Sequence, residues 1–354
     1  MNTKKIFVYG ARNLFFVFAV ILALTFTACG FSNDDDDSKS GWKWTAVADS
    51  TIWQYTNDYG YTFTSGIYAI VYGGDKWVAG GDFGKMAYSS NGTSWTPVAN
   101  STFGDSGIAD IVYGGGKFVA IGGDGKMAYS ADGENWTAVS NVLDSNNSYY
   151  IYGIAYGNGT FVAGGTNGKM GYSTDCENWT TLSHPDGGMI TNSILDIAYG
   201  GGRFVAVGGN LGSSMVYSDD DGETWTKVAN STFGMSSIGG IVYGNDRFIA
   251  WSGSYMAYST DGKNWTAVAE GSGTSGNSIA YGNGRWVAVG DDGKISYSKD
   301  GESWTPVWTT ENEKNSPFIT VWPSYTDINA VAYGDGKFIA GGDSGKMAYA
   351  DWGE

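Results

Sequence analysis

The sequence predicts an all-β fold: a seven-bladed β-propeller of four-stranded blades, closed by an N-terminal strand that completes the last blade. Three observations predict it. One phrase of sequence recurs along the chain, its copies are spaced like propeller blades, and the strand missing from the last copy stands at the other end. The cleanest copy, IADIVYGGGKFVAIGGDGKMAYSADGENWTAV (108–139), divides into IADIVYG, KFVAIGG, KMAYS and NWTAV, separated by Gly-rich or Asp-Gly turns. A sheet of that size cannot bury both faces, so it must stack on copies of itself.

The Tyr-Gly that ends the first strand counts the copies: Tyr72, Tyr113, Tyr156, Tyr199, Tyr243, Tyr281 and Tyr333, spaced by 41, 43, 43, 44, 38 and 52 residues. Each copy places an aromatic on the second strand, such as Trp77, Phe118 or Phe204, and a Tyr on the third, such as Tyr88, Tyr129 or Tyr172. A fourth-strand Trp closes six of them: Trp95, Trp136, Trp179, Trp225, Trp265 and Trp304. The seventh stops at MAYADWGE. Its missing strand matches residues 44–48, WTAVA, which repeat residues 265–269 letter for letter. Closure of this kind removes free sheet edges, and a monomer is the expectation.

The propeller therefore spans 42–354. Before it, Lys4, Lys5 and Arg12 precede an apolar run from Leu14 to Phe26 that leads to Thr27-Ala28-Cys29. Residues 1–28 read as a secretory signal. The end of the run resembles a bacterial lipoprotein cleavage box, which implies a lipid on Cys29 and a membrane anchor. Ordinary cleavage after Ala28 is the other reading. Residues 29–41, with Asp34 to Asp37 in a row, cannot collapse and form a flexible acidic tether. Such stretches resemble those of surface-displayed lipoproteins, although a solvated periplasmic spacer would look the same. The expected location is the cell envelope, at the outer membrane or cell surface.

The formal net charge is −16; without the three cations of residues 1–28, 17 basic side chains face 36 acidic ones, a net of −19. That excludes nucleic acid as a partner, because a phosphate backbone requires a basic surface. With Cys29 acylated, Cys176 has no partner, so blade packing must supply the stability.

Between the third and fourth strands lies SADGENW (130–136), recurring as SSNGTSW from Ser89, STDCENW from Ser173, SDDDGETW from Ser218, STDGKNW from Ser259 and SKDGESW from Ser298. This resembles the Asp-box, or sialidase-type (BNR), repeat. The full form is met by Ser218, Asp220, Gly222, Thr224 and Trp225; the other copies are one residue shorter, with Asn91 in place of Asp in the first and Cys176 in place of Gly in the third. The resemblance implies a propeller and a structural turn, in which carboxylate and hydroxyl bind backbone N–H groups. It does not select an activity.

Sialidase chemistry would need three converging arginines. Apart from Arg12, the chain has Arg203, Arg247 and Arg285, all at one repeat position before the second-strand aromatic, where they cannot meet on one sugar. The single His184 supports neither a His metal site nor a Ser-His-Asp arrangement. Asp219–Asp221 is read as a turn, so neither metal nor cofactor is expected.

Ligand contacts are expected on the face built by the loops between blades and those between second and third strands. The aromatics there are Trp53, Tyr55, Tyr59, Tyr61, Phe63, Phe103, Tyr149, Tyr150, Phe233, Trp308, Trp322 and Tyr325, with Trp251 in the aberrant loop of blade five. Aromatic platforms beside Asn, Asp and Ser suit sugar rings and equally suit a protein partner. They could instead pack the loops onto the rim. The second-to-third loops also place Lys85, Lys126, Lys169, Lys294 and Lys346 in a ring, each expected to pair with a nearby Asp, as Lys126 with Asp124. Asp110 and Asp196, near the start of two inner strands where most copies have Ala, Gly or Ser, are the carboxylate pair that could do acid and base work. The expectation is recognition of a glycan or of an envelope or host protein, with a polysaccharide hydrolase or lyase and an envelope scaffold as alternatives.

Overall fold

Runs such as KFVAIG lack alternation because the second strand of each blade is covered on both faces by the adjoining blades, Phe118 and Ala120 packing toward blade one and Val119 and Ile121 toward blade three. The computed structural model describes residues 42–352 apart from 48–50, 58, 141–142, 144–148, 183–191, 210–213, 269–275 and 308–325. It is a ring of seven antiparallel four-stranded sheets. Blade two is typical: Ile108–Gly114, Lys117–Gly122, Met127–Ser130 and Thr137–Val139, in that order from channel to rim. The Asn135-Trp136 expected to open the fourth strand belongs instead to the turn before it.

The ring closes as expected. Trp42–Ala46 pairs antiparallel with Met347–Trp352, in the blade of Ile328–Gly334 and Lys337–Gly342. Its register sets Thr45 opposite Tyr349, as Thr137 stands opposite Tyr129 in blade two. Trp44 is buried like its counterparts Trp95 and Trp265.

The recurring Tyr-Gly has a packing cause. The Tyr of each blade lies on the Gly of the blade before it, so that a Cβ on Gly157 would overlap the ring of Tyr199, and one on Gly334 would overlap Tyr72 across the closure. Each of these Tyr rings also tilts against the second-strand aromatic of its own blade, with centroids 4.5–4.9 Å apart at 49–59°. Tilted pairs contribute roughly 0.5–1.5 kcal/mol each beyond their burial.

The outer turns hold themselves. The Asp132 carboxylate accepts from the N–H groups of Glu134 (2.9 Å) and Asn135 (2.8 Å), the Ser130 hydroxyl accepts from Gly133 N–H (2.8 Å), and Trp136 Nε1 donates to the Gly133 carbonyl (3.2 Å). The N–H of Asn135 is the main reason that the Asp132 carboxyl lies well below the usual range; Asn178 does the same for Asp175.

Candidate functional site

The loops between blades carry an aromatic that the structure places inside. Trp53 packs over Gly345, Phe103 beside Gly84 and Tyr149 over Gly125, each in the second-to-third loop of the preceding blade. Trp53 and Phe103 are fully buried, and Tyr149 and Phe233 nearly so. Expected as surface contacts, these four are plugs that seal one blade to the next. Their recurrence was the available signal: Asn100-Ser-Thr-Phe-Gly returns as Asn230-Ser-Thr-Phe-Gly, and a residue that repeats with the blade serves the blade. Trp251, also buried, lies over Gly240 in a blade whose second-to-third loop is only a tight turn.

Other aromatics stay outside. Gln54–Thr56 and Thr62–Thr64 form a hairpin ahead of blade one, its tip ordered by the Asn57 side chain, which accepts from the N–H groups of Tyr59 and Tyr61. Tyr59, Tyr61 and Phe63 are exposed, at 86%, 67% and 47%, on a hairpin too short to hold a core of its own. Tyr55 stacks flat on Phe83 (4.6 Å, 5°), and the Lys85 ammonium lies 5.8 Å from the centroid of the Tyr55 ring.

Phe83 is the residue that sequence reasoning missed. It sits at φ +54°, the left-handed position of the second-to-third turn, where other blades put Asp124, Asn167, Asp292 and Ser344. A bulky residue there costs about 1–2 kcal/mol. The strain is spent on a ring that anchors the hairpin, and strain of this kind collects at functional sites. The signal was present as a departure from GGDGK to GGDFGK.

On the same face the central channel opens into a cavity of about 280 Å³. Its walls come from the inner strands at the residues where the blades differ: Tyr68, Asp110, Tyr152, Asp196, Asn277, Ser278 and Asn329 among them, with Trp251. Tyr68 donates to the Asp82 carboxylate (3.3 Å), which adjoins Phe83, so hairpin and cavity meet through one loop. Asn277 and Asn329 donate to Asp291 (3.2 Å) and Asp343 (2.9 Å) at the mouth. Exposed Tyr150 stacks on Tyr152 at 5.6 Å.

Asp110 and Asp196 both line the cavity, each with its carboxylate turned to the seam with the following blade. Asp110 accepts from its neighbour Ile111 N–H (2.8 Å) and, across the blade seam, from Ile154 N–H (3.2 Å). Asp196 accepts from Ile197 (2.7 Å) and Ile241 (2.8 Å) in the same way. They flank blade three's inner strand, since a Cβ on Gly153 would stand 2.6 Å from the Asp196 Cα. Burial raises both carboxyls well above their usual range, and the charge of Asp110 raises Asp196 further. In blade six the hydroxyl of Ser278 does the same seam work, accepting from Val331 N–H (3.2 Å).

The cations are mostly committed to the frame. Arg203 and Arg247 each donate to a backbone carbonyl in the next blade's turn, Asp261 and Asp300 respectively. Lys117 and Lys337 do likewise to Asp175 (3.2 Å) and Asn91 (3.1 Å). Of the loop lysines, Lys294 meets Asp292 at 3.5 Å as expected, but Lys126 donates to the Phe103 carbonyl (2.6 Å) while Asp124 takes the Ser106 hydroxyl (2.6 Å). The expected Asp124–Lys126 pair is replaced because the plug carbonyl comes within reach. Cys29, His184, Trp308, Trp322 and Tyr325 lie outside the described residues.

The family described as the DUF6242 beta propeller domain matches residues 47–189. No curated protein matches the chain. Among solved structures, YCF48 bound to a D1 peptide is similar over 89% of this chain and 98% of its own, at 15% identity and a TM-score of 0.64. Virginiamycin B lyase from Staphylococcus aureus, as an inactive variant with quinupristin, is similar over 88% and 99%, at 13% identity and 0.65. The WD40 propeller domain of Doa1 is similar over 89% and 98%, at 13% identity and 0.62. At these identities the likeness is one of fold: the chain is a propeller.

Proposed function

We propose that the chain is a lipid-anchored recognition protein of the bacterial cell envelope, which takes a glycan on the face of the propeller where the aromatic hairpin stands beside the channel mouth. The carrying observation is the hairpin itself: Tyr59, Tyr61 and Phe63 exposed together, fixed by the stack of Tyr55 on the strained Phe83. Aromatic faces gain little from water and much from the C–H face of a sugar, while Thr56, Thr62 and Gln54 supply polar groups beside them. The anchor rests on the signal and Cys29, and the turns carry the Asp-box pattern, which supports a propeller lineage with many unrelated activities.

YCF48 is seen with a D1 peptide and virginiamycin B lyase with quinupristin. Those ligands belong to those proteins; for this chain they support no more than the use of such a ring to present a binding face. A protein ligand is the competing occupant. The test is binding of the purified protein to arrayed oligosaccharides, beside a Tyr59→Ala/Tyr61→Ala variant. Saturable binding that the variant loses supports the reading. A silent array with folded protein refutes it and directs the search to crosslinked envelope proteins.

A further inference from the structure

We propose that a second cavity, beside the hairpin, takes the carboxylate of a uronic acid, with Lys85 as its cation. The inference deepens the recognition reading by naming a class of sugar, and it rests on that reading for the rest of the glycan.

The cavity holds about 210 Å³ and lies between the second-to-third loop of blade one and the loop that leads to blade two. Ile52, Phe83, Met86, Pro97 and Val98 make its walls apolar, and Lys85 is the single ionisable residue among those that line it. An apolar pocket with a few placed polar groups is what orients a small ligand. Phe83 joins this pocket to the hairpin, since the ring that forms its wall also carries the stack of Tyr55.

Lys85 differs from its counterparts because the frame does not use it. At the same repeat position Lys126 donates to the Phe103 carbonyl (2.6 Å), Lys294 meets Asp292 (3.5 Å) and Lys346 meets the Thr326 hydroxyl (2.9 Å). The residue two places before the lysine, Asp292 in blade six, is Phe83 in blade one and offers no carboxylate. The carbonyl of the plug Trp53 accepts the Ser65 N–H (2.7 Å) at the base of the hairpin and receives no lysine. Among the described residues the Lys85 ammonium touches only the Tyr55 ring. Its charge therefore stands, uncommitted, where cavity and hairpin meet.

A second donor stands in the same wall. Asn100 accepts the Thr102 N–H on Oδ1 (2.9 Å), which leaves its amide N–H groups to donate. An ammonium and an amide donor suit a carboxylate, and the apolar walls suit the ring that bears it. One carboxylate fits better than a polyanion, because the net charge of −16 repels a run of negative charge. The strained Phe83 then has a reason: it removes the ion-pair partner of Lys85 and builds the wall, at a cost that Asp124 and Asn167 largely avoid at this turn.

The test is binding of the purified protein to oligosaccharides arrayed as matched triplets, each with one uronic acid, its methyl ester and the neutral parent, beside an acidic peptide. The free acid should bind at least about 10-fold more tightly than its ester or parent in one or more triplets, with the peptide silent. Lys85→Met should lower the acid to the affinity of the ester, and should melt as wild type does because the ammonium makes no bond in the frame. Phe83→Asp restores the carboxylate that Asp292 supplies in blade six and should also abolish the preference for the acid. Equal binding of acid and ester, or a preference that survives Lys85→Met, overturns this proposal and leaves the hairpin reading standing. Silence toward every saccharide overturns both. Binding of the acidic peptide alone, lost in Lys85→Met, assigns the cavity to a protein carboxylate and overturns the sugar.

Discussion

The outer rim and the channel mouth of this propeller are built from the same repeat and treated differently. At the rim, Ser130-Asp132, Ser173-Asp175, Ser259-Asp261 and Ser298-Asp300 make the same hydrogen bonds blade after blade. At the mouth, the inner-strand position just before the seam reads Tyr68, Ala109, Tyr152, Leu195, Gly239, Asn277 and Asn329. Residues that repeat hold the ring, and residues that break the repeat face the space in which a ligand would sit. Phe83 and Trp251 are the sharpest departures, and both border the candidate site.

The contrast can be attacked first where the repeat is tightest. Gly157→Ala drives a methyl group into the Tyr199 ring and should cost about 3 kcal/mol, read as a shift in denaturant midpoint. Asp132→Ala at the rim removes the acceptor of two backbone N–H groups and should cost about 1–2 kcal/mol, because the turn is partly open to water. Neither should alter ligand selectivity.

At the mouth the signs reverse. Since the folded Asp110 and Asp196 titrate above their unfolded values, the folded chain holds protons that the unfolded chain has released. Their contribution to stability is therefore favourable at low pH and is lost as pH rises from about 4 through neutrality. The Asp110→Ser/Asp196→Ser protein should melt higher than wild type at pH 8 and show a flatter pH dependence above pH 5. Asp132 and Asp175 act oppositely, with folded values depressed, and their stabilisation fades as pH falls below about 4 in both proteins.

The smallest change in stability should come from Phe83→Asn, which places at this turn the residue that Asn167 supplies in blade three. Relief of the left-handed strain, about 1 kcal/mol, should offset the lost stack on Tyr55. Thermal melting should move little while ligand binding falls.

Blade number, closure and turn chemistry were legible because each is a repeated pattern, and Asp110 and Asp196 stood out as visible exceptions to one. The surface aromatics were harder to place. An inter-blade loop aromatic looks the same in sequence whether it plugs a seam, as Trp53 and Phe103 do, or stands in water, as Tyr59 does. The deciding fact is a partner distant in sequence, a glycine such as Gly345 or Gly84 that leaves room for the ring. Tyr68 and Tyr152 hid inside strands whose pattern had already been assigned to the frame.

The most direct measurement is the oligosaccharide array, run with wild type, Phe83→Asn and Asp132→Ala at a temperature where all three are folded. Function at the departures predicts that wild type and Asp132→Ala bind the same saccharides while Phe83→Asn loses them. Equal binding by Phe83→Asn and wild type, or loss in Asp132→Ala alone, would contradict the account.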